Sequence, residues 1–202
     1  QIGVTRRTGS VNPGLGLTIP SGGAASGSTD QNGGNLVLKP GTSTGTGRSY
    51  SIIQCATPAT STSSTDNGYY DCIIHGLSRR VLNSTQTVLA TVTMGSGSTV
   101  SLVVDYMTRV INAAGAQQLE SGNVRCVGNN TGGTITVQTC QKLGNIQTVS
   151  SGSLTVDFSL SSVSSPLDFR ITVTSSLTPS TGFPLVTLTQ IQNQTSQTIT
   201  FP

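Results

Sequence analysis

Charge is scarce in this chain: ten Lys or Arg and seven Asp or Glu make up 8% of 202 residues, against roughly a quarter in an ordinary soluble domain. Glu occurs once, as Glu120, and Lys twice, as Lys39 and Lys142. With the charged helix formers almost missing and no long window of 3.6-residue apolar spacing, helix-based folds are excluded. Trp is absent and aromatics amount to 4%. A formal charge of +3, spread thinly with Arg6-Arg7 and Arg79-Arg80 as the basic doublets, does not make the cationic, stacking surface that nucleic acid requires. Apolar runs such as Leu102-Val103-Val104 stop after a few residues, far short of the roughly 18 of a spanning helix, so membrane insertion is not expected. His75 is the single histidine and no Cys-x-x-Cys spacing exists, which argues against zinc and against the usual base beside a nucleophile. Gly14-Leu15-Gly16 lacks the third glycine of a dinucleotide loop. No cofactor and no enzymatic activity are therefore expected.

Uncharged polar residues fill the place of the missing charge: 28 Ser, 32 Thr, 24 Gly and 11 Asn. The 34% hydrophobic residues, with Gly added, come near the usual apolar share, so a packed core is expected. The chain begins at Gln1 without an initiator Met or a charged-then-apolar leader, as expected of a processed product or a fragment.

Glycine is concentrated in the first 50 residues, where short apolar alternations stand between Gly/Ser/Thr/Asn tracts: Leu15 to Pro20, Asn35 to Pro40, and Tyr50 to Ile53. The first two repeat at an offset of about 20 residues. Each offers two or three inward side chains and needs neighbours to complete a core. Residues 1–54 read as a Gly-rich extended or β-rung stalk, or a particle-attachment arm. Residues 55–80, with the polar tract Thr60 to Thr65 and the turn Asp66-Asn67-Gly68, read as a connector. Residues 81–202 carry longer alternating strands, expected at 86–94, 99–111, 117–127, 133–140, 153–160, 167–175, 184–192 and 197–201. The expected class is all-β: the stalk or arm followed by an antiparallel, jelly-roll-like β-sandwich head.

Four cysteines, Cys55, Cys72, Cys126 and Cys140, allow three pairings. Proximity favours Cys55 with Cys72 and Cys126 with Cys140 across a hairpin, and four buried thiols are the alternative. Paired carboxylates for glycan cleavage have few sources: Asp66 and Asp71 around a turn, or Asp105, Asp157 and Asp168 brought together by tertiary folding. What remains is recognition: hydroxyl and amide groups with Tyr50, Tyr69, Tyr70 and Tyr106 as amphipathic platforms. The exposed-loop candidates are Asn129, Asn130 and Thr131 in loop 128–133, and Ser180 and Thr181 in loop 178–183.

The stretch Gly33-Gly34-Asn35-Leu36-Val37-Leu38-Lys39-Pro40-Gly41, continuing to Gly47, resembles the Gly-rich rungs of tail fibres and other fibrous virion proteins of bacteriophages and some large DNA viruses. The later order Val88 to Val92, Val103 to Tyr106, Val124 to Cys126, Gly152 to Val156 and Thr174 to Pro179 is similar to the globular head that follows such stalks. The resemblance implies a structural virion protein, a fibre or capsid decoration on the virion surface. Such a protein forms a homotrimer, docks on other virion proteins through its N-terminal arm and meets a host-surface glycan or protein with its head. The rival expectation is a secreted bacterial or archaeal adhesin or filament subunit assembling by β-strand exchange.

Overall fold

The computed structural model describes residues 19, 36–42, 49–56, 69–161, 166–195 and 197–201. The chain divides into two compact units, Gln1–Lys39 and Pro40–Pro202. Most of the first unit, including the first expected rung, lies outside the described residues, as does the tract 57–68. Residues 36–40, expected as a strand, form no strand with the described residues, and Leu36, Val37 and Leu38 are exposed.

Among the described residues of the second unit every element is a strand: β1 (Ser51–Ala56), β2 (Tyr69–Arg80), β3 (Thr87–Thr93), β4 (Thr99–Ile111), β5 (Gln117–Thr131), β6 (Thr134–Val149), β7 (Leu154–Ser161), β8 (Leu167–Ser175), β9 (Leu185–Asn193) and β10 (Thr198–Thr200). One sheet has the order β1-β2-β9-β4-β5-β6 and the other β10-β3-β8-β7, and all strand pairs are antiparallel. The all-β expectation therefore holds, and a strand stands at each of the eight expected positions after residue 81, with β5 running on to Thr131 and β6 to Val149, beyond the expected 127 and 140. The alternation that marked them is the burial pattern itself: along β4, Val100, Leu102, Val104, Tyr106, Thr108 and Val110 are buried and the residues between them face outward. The pairings β2 with β9 and β3 with β8 are nested, while β4, β5 and β6 follow one another as a meander.

Residues 69–80 correct the expected connector over 55–80: they form β2, paired with β1 on one side and β9 on the other. Its inward residues Ile74 and Leu77 stand three apart, a spacing that a period of two does not reveal. Gly76 lies between them with φ +81°, a conformation that glycine takes without steric cost. Opposite it, the register of β9 against β4 shifts at Thr189. The two irregularities match, so the inward faces realign on both sides of the break.

One apolar core joins the sheets. Val92, Val104, Val124, Val156, Leu167, Phe169, Ile171 and Val173 are fully buried, and such side chains contribute about 1.5–3 kcal/mol each relative to exposure. Tyr106 of β4 meets Phe158 of β7 edge-on at 4.6 Å, and Phe158 stacks on Phe169 at 5.7 Å. Both proximity-favoured disulfides are present: Cys55–Cys72 ties β1 to β2 and Cys126–Cys140 ties β5 to β6. Loops of 17 and 14 residues each restrict the unfolded chain by about 3 kcal/mol in the loop-entropy account.

A buried polar cluster bridges the open edges of the two sheets. Glu120 of β5 is fully buried. It accepts hydrogen bonds from Tyr106 Oη at 2.5 Å, Lys142 Nζ at 3.0 Å and Gln147 Nε2 at 2.5 Å. Lys142 and Gln147 of β6 also donate to Val156 O and Leu154 O of β7, at 2.7 and 2.8 Å. Burial, then the hydrogen bond to Glu120 and its negative charge, push the Tyr106 phenol well above its ordinary range. The folded protein thus holds this proton where the unfolded chain, with a phenol near pKa 10, releases it. Stability contributed by Tyr106 is present below pH ~10 and falls as pH rises beyond it. Urea midpoints across that range should decline more steeply for the native protein than for Tyr106→Phe; parallel declines would show that the proton is not linked to folding.

Candidate functional site

The end of the six-stranded sheet where β2 and β4 finish and β9 begins carries a cleft of about 180 Å³. Arg80, the last residue of β2, and Arg109, near the end of β4, stand opposite the same residue of β9, Leu185. Opposed residues of an antiparallel ladder share a face, so the two arginines flank Leu185 on the outer face, and both are exposed. They are two strand spacings apart, about 10 Å. Among the described residues neither Arg80 nor Arg109 has an ion-pair partner, and the pairs Lys142–Glu120 and Arg170–Asp168 lie elsewhere.

The loop from β8 to β9 closes the cleft. Ser180 N donates to Ile111 O at 2.7 Å and Val81 N to Pro184 O at 3.0 Å, so the loop is tied to β4 on one side and to the segment after β2 on the other. Gly182 N donates to Pro179 O at 3.0 Å, closing a four-residue turn whose central residues are Ser180 and Thr181. Thr181 Oγ1 donates to Phe183 O at 3.1 Å. Two hydroxyls and the 39%-exposed Phe183 ring thereby line a cleft with a guanidinium on either side of an apolar floor. Chemically this arrangement suits an anionic, hydroxyl-rich ligand: guanidinium takes carboxylate bidentately, and Leu185 and Phe183 offer contact to C–H faces. Among the described lining residues none is an Asp, Glu, His or Cys.

Of the sequence-derived candidates, Ser180 and Thr181 are brought to this cleft. Asn129 and Asn130 are not loop residues, which corrects the expectation for 128–133: β5 runs on to Thr131, and a two-residue turn, Gly132-Gly133 with φ +62° and +90°, leads into β6. Paired glycines with positive φ make the tight hairpin turn that suits strand twist, so the Asn residues are drawn into the strands. Asn130 is buried and donates from Nδ2 to Met94 O at 3.3 Å; Thr131 is exposed at the strand end. Cys55, Cys72, Cys126 and Cys140 are structural disulfides outside the cleft.

The acidic residues are dispersed. Asp105 lies on the outer face of the six-stranded sheet, whereas Asp157 and Asp168 lie on the outer face of the other sheet, with the core between. Asp168 is held by Arg170 at 2.6 Å, and Asp71 accepts from Gln54 Nε2 at 2.9 Å. Asp66 lies outside the described residues. Ser51 stands opposite His75, but Asp105 is two strands from that histidine with Gln190 between. Among the described residues no group of three metal-ligating side chains occurs.

Arg80, Arg109 and Phe183 were not singled out from sequence. Arg79-Arg80 stood out as a doublet, but 29 positions separate Arg80 from Arg109, and their meeting depends on β9 pairing between β2 and β4. No protein-family model matches the chain, and neither curated proteins nor solved structures yield a significant match.

Proposed function

We propose that this chain is a non-enzymatic structural protein of a virion surface, a fibre or capsid decoration protein. In this reading it assembles as a homotrimer through its Gly-rich N-terminal segment, which docks on other virion proteins, and presents the Arg80–Arg109 cleft to the host surface. The observation that carries the recognition role is the cleft: two guanidiniums without an ion-pair partner among the described residues, two hydroxyls and an exposed Phe183, with no acid–base pair among its described lining residues. The likeness of residues 33–47 to virion rungs supports the particle assignment. Two disulfides fit an oxidising, extracellular setting, and a surface rich in uncharged hydroxyls suits an exposed coat.

A second reading, a secreted bacterial or archaeal adhesin or filament subunit, is favoured by β6. This 16-residue strand is an edge of its sheet, and it exposes Leu143 and Ile146, an invitation to strand addition. The solution mass of the intact chain by light scattering separates the two. A sharp mass of three chains is expected; open-ended polymers that grow with concentration would favour strand exchange, and a monomer would overturn the fibre assembly.

A further inference from the structure

The cleft is one end of a longer feature. Following the register outward from Arg80, each residue faces the next across one ladder: Arg80 with Leu185, Leu185 with Arg109, Arg109 with Leu119, and Leu119 with Thr148. The row crosses five strands, from β2 to β6, a span of about 19 Å at one strand spacing per step. At its far end lies a second, shallower depression of about 410 Å³, lined by Leu119 and Thr148 together with Gly115, Gln117 and Ser150. Both depressions thus open on one continuous line across the outer face. The next row, Ser78, Thr187, Met107, Ser121 and Ile146, borders it without a charge.

We infer that this row is the binding track of an extended carboxylated polysaccharide, a polyuronate-like chain lying across the strands rather than along them. The inference rests on the recognition role proposed above and names its ligand class. Charge selects an acidic polymer, because both charged residues of the row are arginines with no carboxylate partner among the described residues. The spacing suits a polymer: the backbones of the two arginines stand about 10 Å apart with Leu185 between them, so each guanidinium can take its own carboxylate from sugars along a chain. The lining selects a sugar: Ser180 and Thr181 at one end and Gln117, Thr148 and Ser150 at the other offer hydroxyls and an amide, with Leu185 and Leu119 as an apolar floor between. A nucleic acid fits less well, since two cations and the single exposed Phe183 ring give neither a phosphate stripe nor successive stacking platforms.

The test uses the intact protein with galacturonic acid, a short oligogalacturonate, polygalacturonate and uncharged dextran, followed by calorimetry and affinity electrophoresis. The oligomer should bind at least ~10-fold more tightly than the monosaccharide, with affinity falling as salt rises. The double variant Arg80→Gln/Arg109→Gln should lose ~10-fold or more for both. Thr148→Glu, at an exposed position of the far end, should weaken the oligomer and leave the monosaccharide unaffected. Equal affinity for oligomer and monosaccharide with an inert Thr148→Glu would overturn the track. Equal binding of dextran, stronger binding of a single-stranded oligonucleotide, or binding unaffected by the arginine changes would overturn the ligand class, as would no binding to any of these polymers. These outcomes are separate from the fibre reading, which stands or falls on the solution mass.

Discussion

Gly122→Ala is expected to destabilise the protein by about 3 kcal/mol, at the upper end for overpacking, read as a lowered denaturant midpoint with an unchanged slope. Gly122 lies in β5 opposite Asn145 of β6, and a Cβ there would come within 2.2 Å of Gly144 O and 2.9 Å of Asn145 Cα. Those are backbone atoms, so no side-chain rotation relieves the contact and β6 itself must move. Movement there strains what depends on β6: the Cys126–Cys140 bond and the Lys142 and Gln147 contacts with β7. Gly144→Ala is the control, because a Cβ at that neighbouring position meets nothing within 4 Å. It should change stability by less than about 1 kcal/mol. Equal effects of the two substitutions would show that β6 yields freely and that the close approach is not structural.

Lys142→Met should cost about 2 kcal/mol. Breaking a fully buried ion pair costs roughly 3–5 kcal/mol, but the Lys142 side chain keeps 30% of its exposure while that of Glu120 keeps none, and the lower figure allows for that screening. The loss arises on the carboxylate side. Without the ammonium, Glu120 is left inside with two neutral donors, Tyr106 and Gln147, and Val156 O loses its side-chain donor from β6. Adding Glu120→Gln removes the stranded charge, so the double variant should be more stable than the sum of the single effects implies. A double-mutant cycle measures this coupling directly. Simple additivity would mean that Lys142 acts by packing alone and that the cluster is not an electrostatic unit.

Much of the fold is legible in the sequence. Along Thr99–Ile111 every second residue from Val100 to Val110 is apolar except Thr108, and those are the positions that the strand buries; the Gly, Ser and Asn tracts fall at or near the strand ends. The two disulfides join the cysteines that are nearest in sequence, since a hairpin places such residues side by side. Legibility failed where local pattern and pairing part company. In β2 the break at Gly76 hid the strand, because Ile74 and Leu77 point the same way only through a positive φ. At 128–133 the Asn and Gly residues read as one long loop, whereas the turn needs only Gly132 and Gly133 and the asparagines continue the ladder.

Composition and alternation by themselves determined an all-β chain with a sparingly charged, hydroxyl-rich surface, because the period of side-chain burial is a local property of each strand. Tertiary structure alone decided that β9 lies between β2 and β4. That placement sets Arg80 and Arg109 on either side of Leu185, while the packing of β7 against the β4-β5-β6 meander encloses Glu120 with Tyr106 and Lys142. Register between strands distant in sequence depends on which faces bury together, and no local pattern encodes that choice.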